Sequence, residues 1–127
     1  MTDMNIINRR LEISDELIEN VLAEAFMGGI VYWADNISCE DIKDMKKVGG
    51  WKHEYLTKTK KKDAVMYIHD GETGEKYPMT KKSIIDALQK LDAEYSETLE
   101  RILNEQYDAD DADIVVQMAC FKEIVFG

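Results

Sequence analysis

Proline occurs once in these 127 residues, at Pro78, and cysteine and histidine occur twice each. A single proline leaves no room for a proline-rich linker, and no repeat or low-complexity tract divides the chain, so residues 1–127 read as one domain. Cys39 and Cys120 stand far apart without Cys-x-x-Cys spacing, which argues against a zinc ribbon or a disulfide framework and makes reduced thiols the expectation. His53 and His69 are too few for the histidine set of a metal-dependent phosphohydrolase. No apolar run approaches the ~18 residues of a membrane span, and Met1 to Arg10 lack the apolar core of a signal peptide. A cytoplasmic location is expected. The serine-nucleophile elbow, the phosphate loop and the dinucleotide fingerprint are missing. Carboxylates are so numerous that no pair of them marks a catalytic site. Neither an enzyme nor a cofactor is expected.

What is present is charge, unevenly placed. The net charge is −10, yet Lys43 to Lys82 hold eleven of the sixteen basic residues against six acids. An acidic coat argues against direct binding of nucleic acid by the whole surface, whereas a local lysine cluster among Trp51, His53, Tyr55, Tyr67 and Tyr77 suits a small anion.

The spacing of apolar residues predicts an α+β fold, a small antiparallel three-stranded sheet with flanking N-terminal and C-terminal helices, one of them long. Ser14 caps a first helix with Asp15 and Glu16 at its positive end, and Leu17, Ile18, Val21, Leu22, Ala25 and Phe26 form its apolar stripe. No polar turn follows Gly28 and Gly29, so the helix is expected to run on to about Ala34. Two glycines inside a helix cost ~1 kcal/mol each, which implies close approach of another backbone or of a ligand. Ser38 with Asp41 forms a weak cap for a short helix near Glu40 to Lys47, closed by Gly49 and Gly50. Strands are predicted at Trp51 to Leu56, Ala64 to His69 and Glu75 to Met79, with a lysine-rich hairpin between the first two and a turn at Asp70 to Gly74. Thr80 caps a long helix of about 25 residues whose seam is Ile84, Leu88, Leu91, Tyr95 and Ile102, either continuous and available to a homo-oligomer or broken near Asp92. A last helix begins among Asp108, Asp110, Asp111 and Asp113 and buries Ile114, Val115, Met118, Phe121 and Val125. Read as a calcium loop, that acidic run places Asp113 where glycine is needed and Ala119 where glutamate is needed; the helix dipole suffices to explain it, and no metal is expected.

The candidate ligand-binding residues are Gly28, Gly29, Tyr32, Trp33, Trp51, Lys58, Lys60 and Lys61. Rings stack on a base and lysines neutralise phosphate, although aromatics in an apolar stripe also serve as core and lysine runs as solvated loops.

Three stretches carry a resemblance. They are Ala25-Phe26-Met27-Gly28-Gly29-Ile30-Val31-Tyr32-Trp33, the segment from Val65 through Thr80 to Leu88, and Asp110-Asp111-Ala112-Asp113-Ile114-Val115-Val116-Gln117 followed by Phe121-Lys122-Glu123-Ile124-Val125-Phe126-Gly127. Together they resemble a family of small proteins encoded by bacteriophages and prophages of Gram-positive bacteria. The chain departs from that pattern in Lys122, where glycine is commoner, and in the richness of lysine between Lys58 and Lys62. The resemblance implies a viral accessory protein acting in the bacterial cytoplasm, with antagonism of host defence as the expected role. Two mechanisms fit. A homo-oligomer sequesters a cyclic-nucleotide or ADP-ribose-type signal through Tyr32, Trp33 and the lysines. Alternatively, the acidic flanks imitate nucleic acid and occupy a host effector, as an anti-CRISPR-like inhibitor would. Sequestration is the preferred reading, because a glycine pair beside Tyr32 and Trp33 is unusual in a helix whereas dispersed acids are common, and a structural or regulatory protein that only docks on another protein is a third reading.

Overall fold

Helix α1, Asp15–Glu24, starts where Ser14 Oγ accepts the Leu17 amide at 3.1 Å, and it buries Ile18, Val21 and Leu22. A computed structural model describes residues 11–127, so the reading of Met1 to Arg10 lies outside the described residues. The helical path continues through the glycine pair only as a wider π turn, Ala25–Gly29, and ends at Ile30. The expected extension to Ala34 does not form. Trp33 instead offers its carbonyl to the Gly71 amide at 2.9 Å, and Ala34 opens strand β1, Ala34–Cys39.

The sheet is antiparallel in the order β1-β2-β3, with β2 at Met66–Asp70 and β3 at Lys76–Met79. Met66, Ile68 and Asp70 of β2 face the core, as alternation requires, and Tyr67 and His69 face outward. Pro78 sits opposite Tyr67 on an edge strand, where its missing amide costs no ladder bond.

The third strand is not the expected one. Residues Trp51 to Leu56 form a 3-10 turn, Lys52–Glu54, and the start of α3, Tyr55–Lys58. The period-two reading fails because Tyr55 and Leu56 are both buried, and a strand would send neighbours to opposite faces. Lys58 to Lys62 consequently end a helix and lead into a loop rather than forming a hairpin. Strand β1 escapes notice because Ala34-Asp35-Asn36-Ile37-Ser38-Cys39 is largely polar, buries only Ala34 and carries an irregularity between Ala34 and Asn36. Helix α2, Ile42–Lys47, is capped by Asp41, while Ser38 lies within β1; Gly49 and Gly50 turn the chain at φ of 116° and 81°.

The long helix is two helices. α4, Lys81–Glu94, begins with a reciprocal cap between Thr80 and Ser83, and α5 follows at Ser96–Leu103. The break is Tyr95, with φ −139° and ψ 58°, and its half-exposed ring does not join the seam. The turn lets Ile84, Leu88 and Leu91 and then Leu99 and Ile102 meet one core. Helix α6, Ala109–Phe121, is capped by Asp108 and buried along most of its length, and it packs on α4 and the π turn. Lys122 ends it in the left-handed conformation, φ 64°. Val115 and Met118 are buried as expected, Ile114 and Phe121 only half-buried, and Val125 is largely exposed.

Candidate functional site

The glycine pair serves the crossing of the π turn with α6. A Cβ placed on Gly29 would lie 2.4 Å from the Ala109 carbonyl oxygen and 3.1 Å from the Asp113 amide, so only glycine admits the α6 backbone there. Gly28 has room, its nearest contact being the Ala109 Cβ at 3.9 Å.

That close approach brings Asp113 over the aromatic pair. The buried Asp113 carboxylate accepts the Tyr32 hydroxyl at 2.6 Å and the Trp33 indole N–H at 2.8 Å. Gln117, fully buried one turn on, places Nε2 at 3.0 Å from both carboxylate oxygens and donates to the Phe126 carbonyl at 3.1 Å. Its Oε1 accepts the Val125 and Phe126 amides, each at 2.8 Å. The Phe126 ring then lies on Trp33, with centroids 4.7 Å apart and planes 8° from parallel. Burial of the hydroxyl end, and then its bond to Asp113, push the Tyr32 phenol up to about 12.

The first and last motifs of the sequence thus form one clasp. Trp33 is 5% exposed, its N–H is engaged and one ring face is covered by Phe126, so little of its ring is open to a base where it borders a groove beside Tyr32. Tyr32 keeps an exposed ring.

Two grooves flank this ridge and share Val31, Ala34 and Asp35. One, of about 520 Å³, runs between the π turn, β1 and the Gly50 to His53 segment. Its floor includes Phe26, Ile30 and Ile37, and its walls carry Met27 at 85%, Val31 at 60% and Trp51 at 64% exposure. The other, of about 650 Å³, is lined by Tyr32, Trp33 and Phe126, by Asp35 and Glu72, and by Asp70, which is buried with its carboxylate held by the Glu72 and Thr73 amides.

The lysines are elsewhere. Lys58 pairs with Glu54 at 3.7 Å and Lys61 with Asp41 at 3.3 Å, beside a corner where Asp44 accepts Tyr55 and Thr59. Lys58, Lys60 and Lys61 line neither groove, so the expected assembly of Tyr32, Trp33, Trp51 and these lysines in one basic aromatic pocket is not formed.

The acidic run is also engaged internally. Asp108 caps α6 while remaining exposed, Asp111 takes a two-pronged hydrogen bond from Arg101 at 2.9 and 2.7 Å, Asp113 holds the clasp, and Asp110 is exposed. The Arg101 guanidinium keeps the Asp111 carboxyl below the usual carboxylate range.

Ser38 Oγ meets His69 Nε2 at 2.7 Å, a pair that sequence spacing does not reveal because it spans two strands. It lies in neither groove and ties β1 to β2. Among the described residues no three His, Cys, Asp or Glu side chains converge to hold a metal ion, and no helix is long and apolar enough to cross a membrane. Comparison with family models, curated proteins and solved structures finds no match to this chain.

Proposed function

We propose that the chain is a protein-binding module that acts by occupying its partner, and that the face around Met27, Val31 and Trp51 is where it docks. One observation carries this reading: three large apolar side chains, each at least 60% exposed, wall a single groove with an apolar floor. Exposed apolar residues scattered singly need no explanation, but several converging on one concavity mark contact surfaces. Aromatic and methionine side chains supply much of the affinity of such surfaces. In the setting that the resemblance implies, the partner is a bacterial defence protein, and the chain is an inhibitor rather than an enzyme.

Support for sequestering a nucleotide is weaker, because the rings and the lysines are apart and Trp33 is covered. A surface imitating nucleic acid has less support than the acidic composition implies, since much of the Asp108 to Asp113 run is engaged internally.

The test uses the full chain and a Val31→Asp, Trp51→Ala variant as baits in bacterial lysate, followed by purification of the retained protein and titration against both chains. A complex formed by the wild type and lost by the folded variant is the expected result. A stoichiometric adduct in native mass spectra with cyclic nucleotides or cyclic ADP-ribose isomers would overturn the docking reading in favour of sequestration.

A further inference from the structure

We infer that the partner brings to this face an acidic segment, whose apolar side chains enter the groove while its carboxylates meet the lysines of the adjoining corner; the inference rests on the docking reading and names the chemistry of its occupant. Residues Lys43 to Lys62 carry eight lysines against two acids, Asp44 and Glu54. The fold gathers them. Asp44 of α2 accepts the Tyr55 hydroxyl at 2.7 Å and the Thr59 hydroxyl at 2.5 Å, and Asp41, the cap of α2, pairs with Lys61 at 3.3 Å. Helices α2 and α3 and the loop after α3 therefore form one corner. Its acids already have donors beside them: Asp44 holds those hydroxyls, Glu54 lies 3.7 Å from Lys58 and 3.5 Å from His53, and Glu19 of the neighbouring α1 accepts the Thr57 hydroxyl at 2.6 Å. Lys43, Lys46, Lys47, Lys52, Lys60 and Lys62 are exposed and make no ion pair among the described residues, and they outnumber Glu40 and Asp63, the exposed acids at the margins.

The 520 Å³ groove opens beside this corner. Gly50 donates to the Met45 carbonyl at 2.9 Å, which ties the Gly50 to His53 side of the groove to the end of α2. The charged and titratable residues of the lining are Lys52 and His53 against Asp35 alone. An apolar floor with Met27, Val31 and Trp51 exposed above it suits the side chains of a protein segment. Single-stranded nucleic acid fits less well, because the corner offers one largely exposed ring, Trp51, in place of successive stacking platforms, and a net charge of −10 opposes a polyanion that extends beyond the lysines. Charge also directs the approach. An acidic partner is attracted at this corner and repelled by the acidic remainder of the chain, whereas a basic partner is drawn to that remainder instead.

The experiment is an amide-resolved NMR titration of the full chain with an acetylated, amidated peptide carrying Leu and Phe anchors followed by a run of Glu, and with a counterpart in which Lys replaces every Glu. We expect the Glu peptide to shift the Trp51 indole and the amides of Met27, Val31 and Lys46 to His53. Its binding should weaken about tenfold in a folded Lys46→Ser, Lys47→Ser, Lys52→Ser variant, and weaken also as salt is raised. The Lys peptide is expected to leave these signals unmoved. Equal response to both peptides, or none at these residues, overturns the inference, as does tighter binding of an oligothymidylate at the same signals, which would name nucleic acid as the partner. Concentration-dependent shifts of these signals in the peptide-free chain would also overturn it by naming a second copy as the occupant. The two readings fail separately: a captured partner that binds the lysine variant as tightly as the wild type ends the inference, whereas one that binds the Val31→Asp, Trp51→Ala variant as tightly ends the docking reading.

Discussion

Neighbouring glycines in this chain have unequal duties. Gly29→Ala forces a methyl group against the α6 backbone, and overpacking of that kind costs ~1–3 kcal/mol, whereas Gly28→Ala meets only ordinary contact and reduces the freedom of the unfolded chain. We expect chemical denaturation to show Gly29→Ala clearly destabilised and Gly28→Ala within ~1 kcal/mol of the wild type. Equal losses would place the close approach elsewhere. Tyr32 supplies a second check. Its phenol, raised from the ordinary value near 10 to about 12, favours the neutral form in the folded protein. The stabilisation is therefore complete below pH ~10 and lost as pH rises toward the folded value. Tyrosinate absorbance of the wild type minus that of Tyr32→Phe should rise near pH 12. A rise near 10 would mean that the bond to Asp113 is not held.

Among the elements, those with a strong local signal were legible in the sequence. Ser14, Thr80 and Asp108 all cap helices, and the alternation in Ala64 to His69 puts Met66 and Ile68 on the buried face. The misreadings have physical causes. Trp51, His53 and Tyr55 mimic a strand period but bury only Tyr55, and β1 is held by pairing with β2 in spite of its polar sequence. The seam from Ile84 to Ile102 continues across Tyr95, so apolar spacing alone does not disclose the break. The clasp was half legible: the glycines announced a close approach, but nothing local says that Asp113 and Gln117 are its partners, because those contacts span about eighty residues. The α6 terminus yields a further prediction. Lys122 occupies a left-handed position that favours glycine, so Lys122→Gly should raise stability by ~1 kcal/mol and the Tm with it. An unchanged or lower Tm would show that contacts of the Lys122 side chain outweigh its backbone strain.

On the scale of the whole molecule, the Gly28 to Trp33 motif, read as ligand-binding, and the C-terminal motif together join the π turn, α6 and the C-terminal segment. On the docking reading the partner meets the neighbouring surface, where Met27, Val31 and Trp51 stand exposed around one groove. Acidic residues serve in part as internal fasteners, which lowers their value as a mimic of nucleic acid. The most direct measurement is calorimetric titration of the captured partner into the wild type and into the Val31→Asp, Trp51→Ala variant, with folding of the variant checked by its amide spectrum. Removing a tryptophan anchor and charging the groove wall should weaken binding at least about thirtyfold. Unchanged affinity would contradict the assignment of this face.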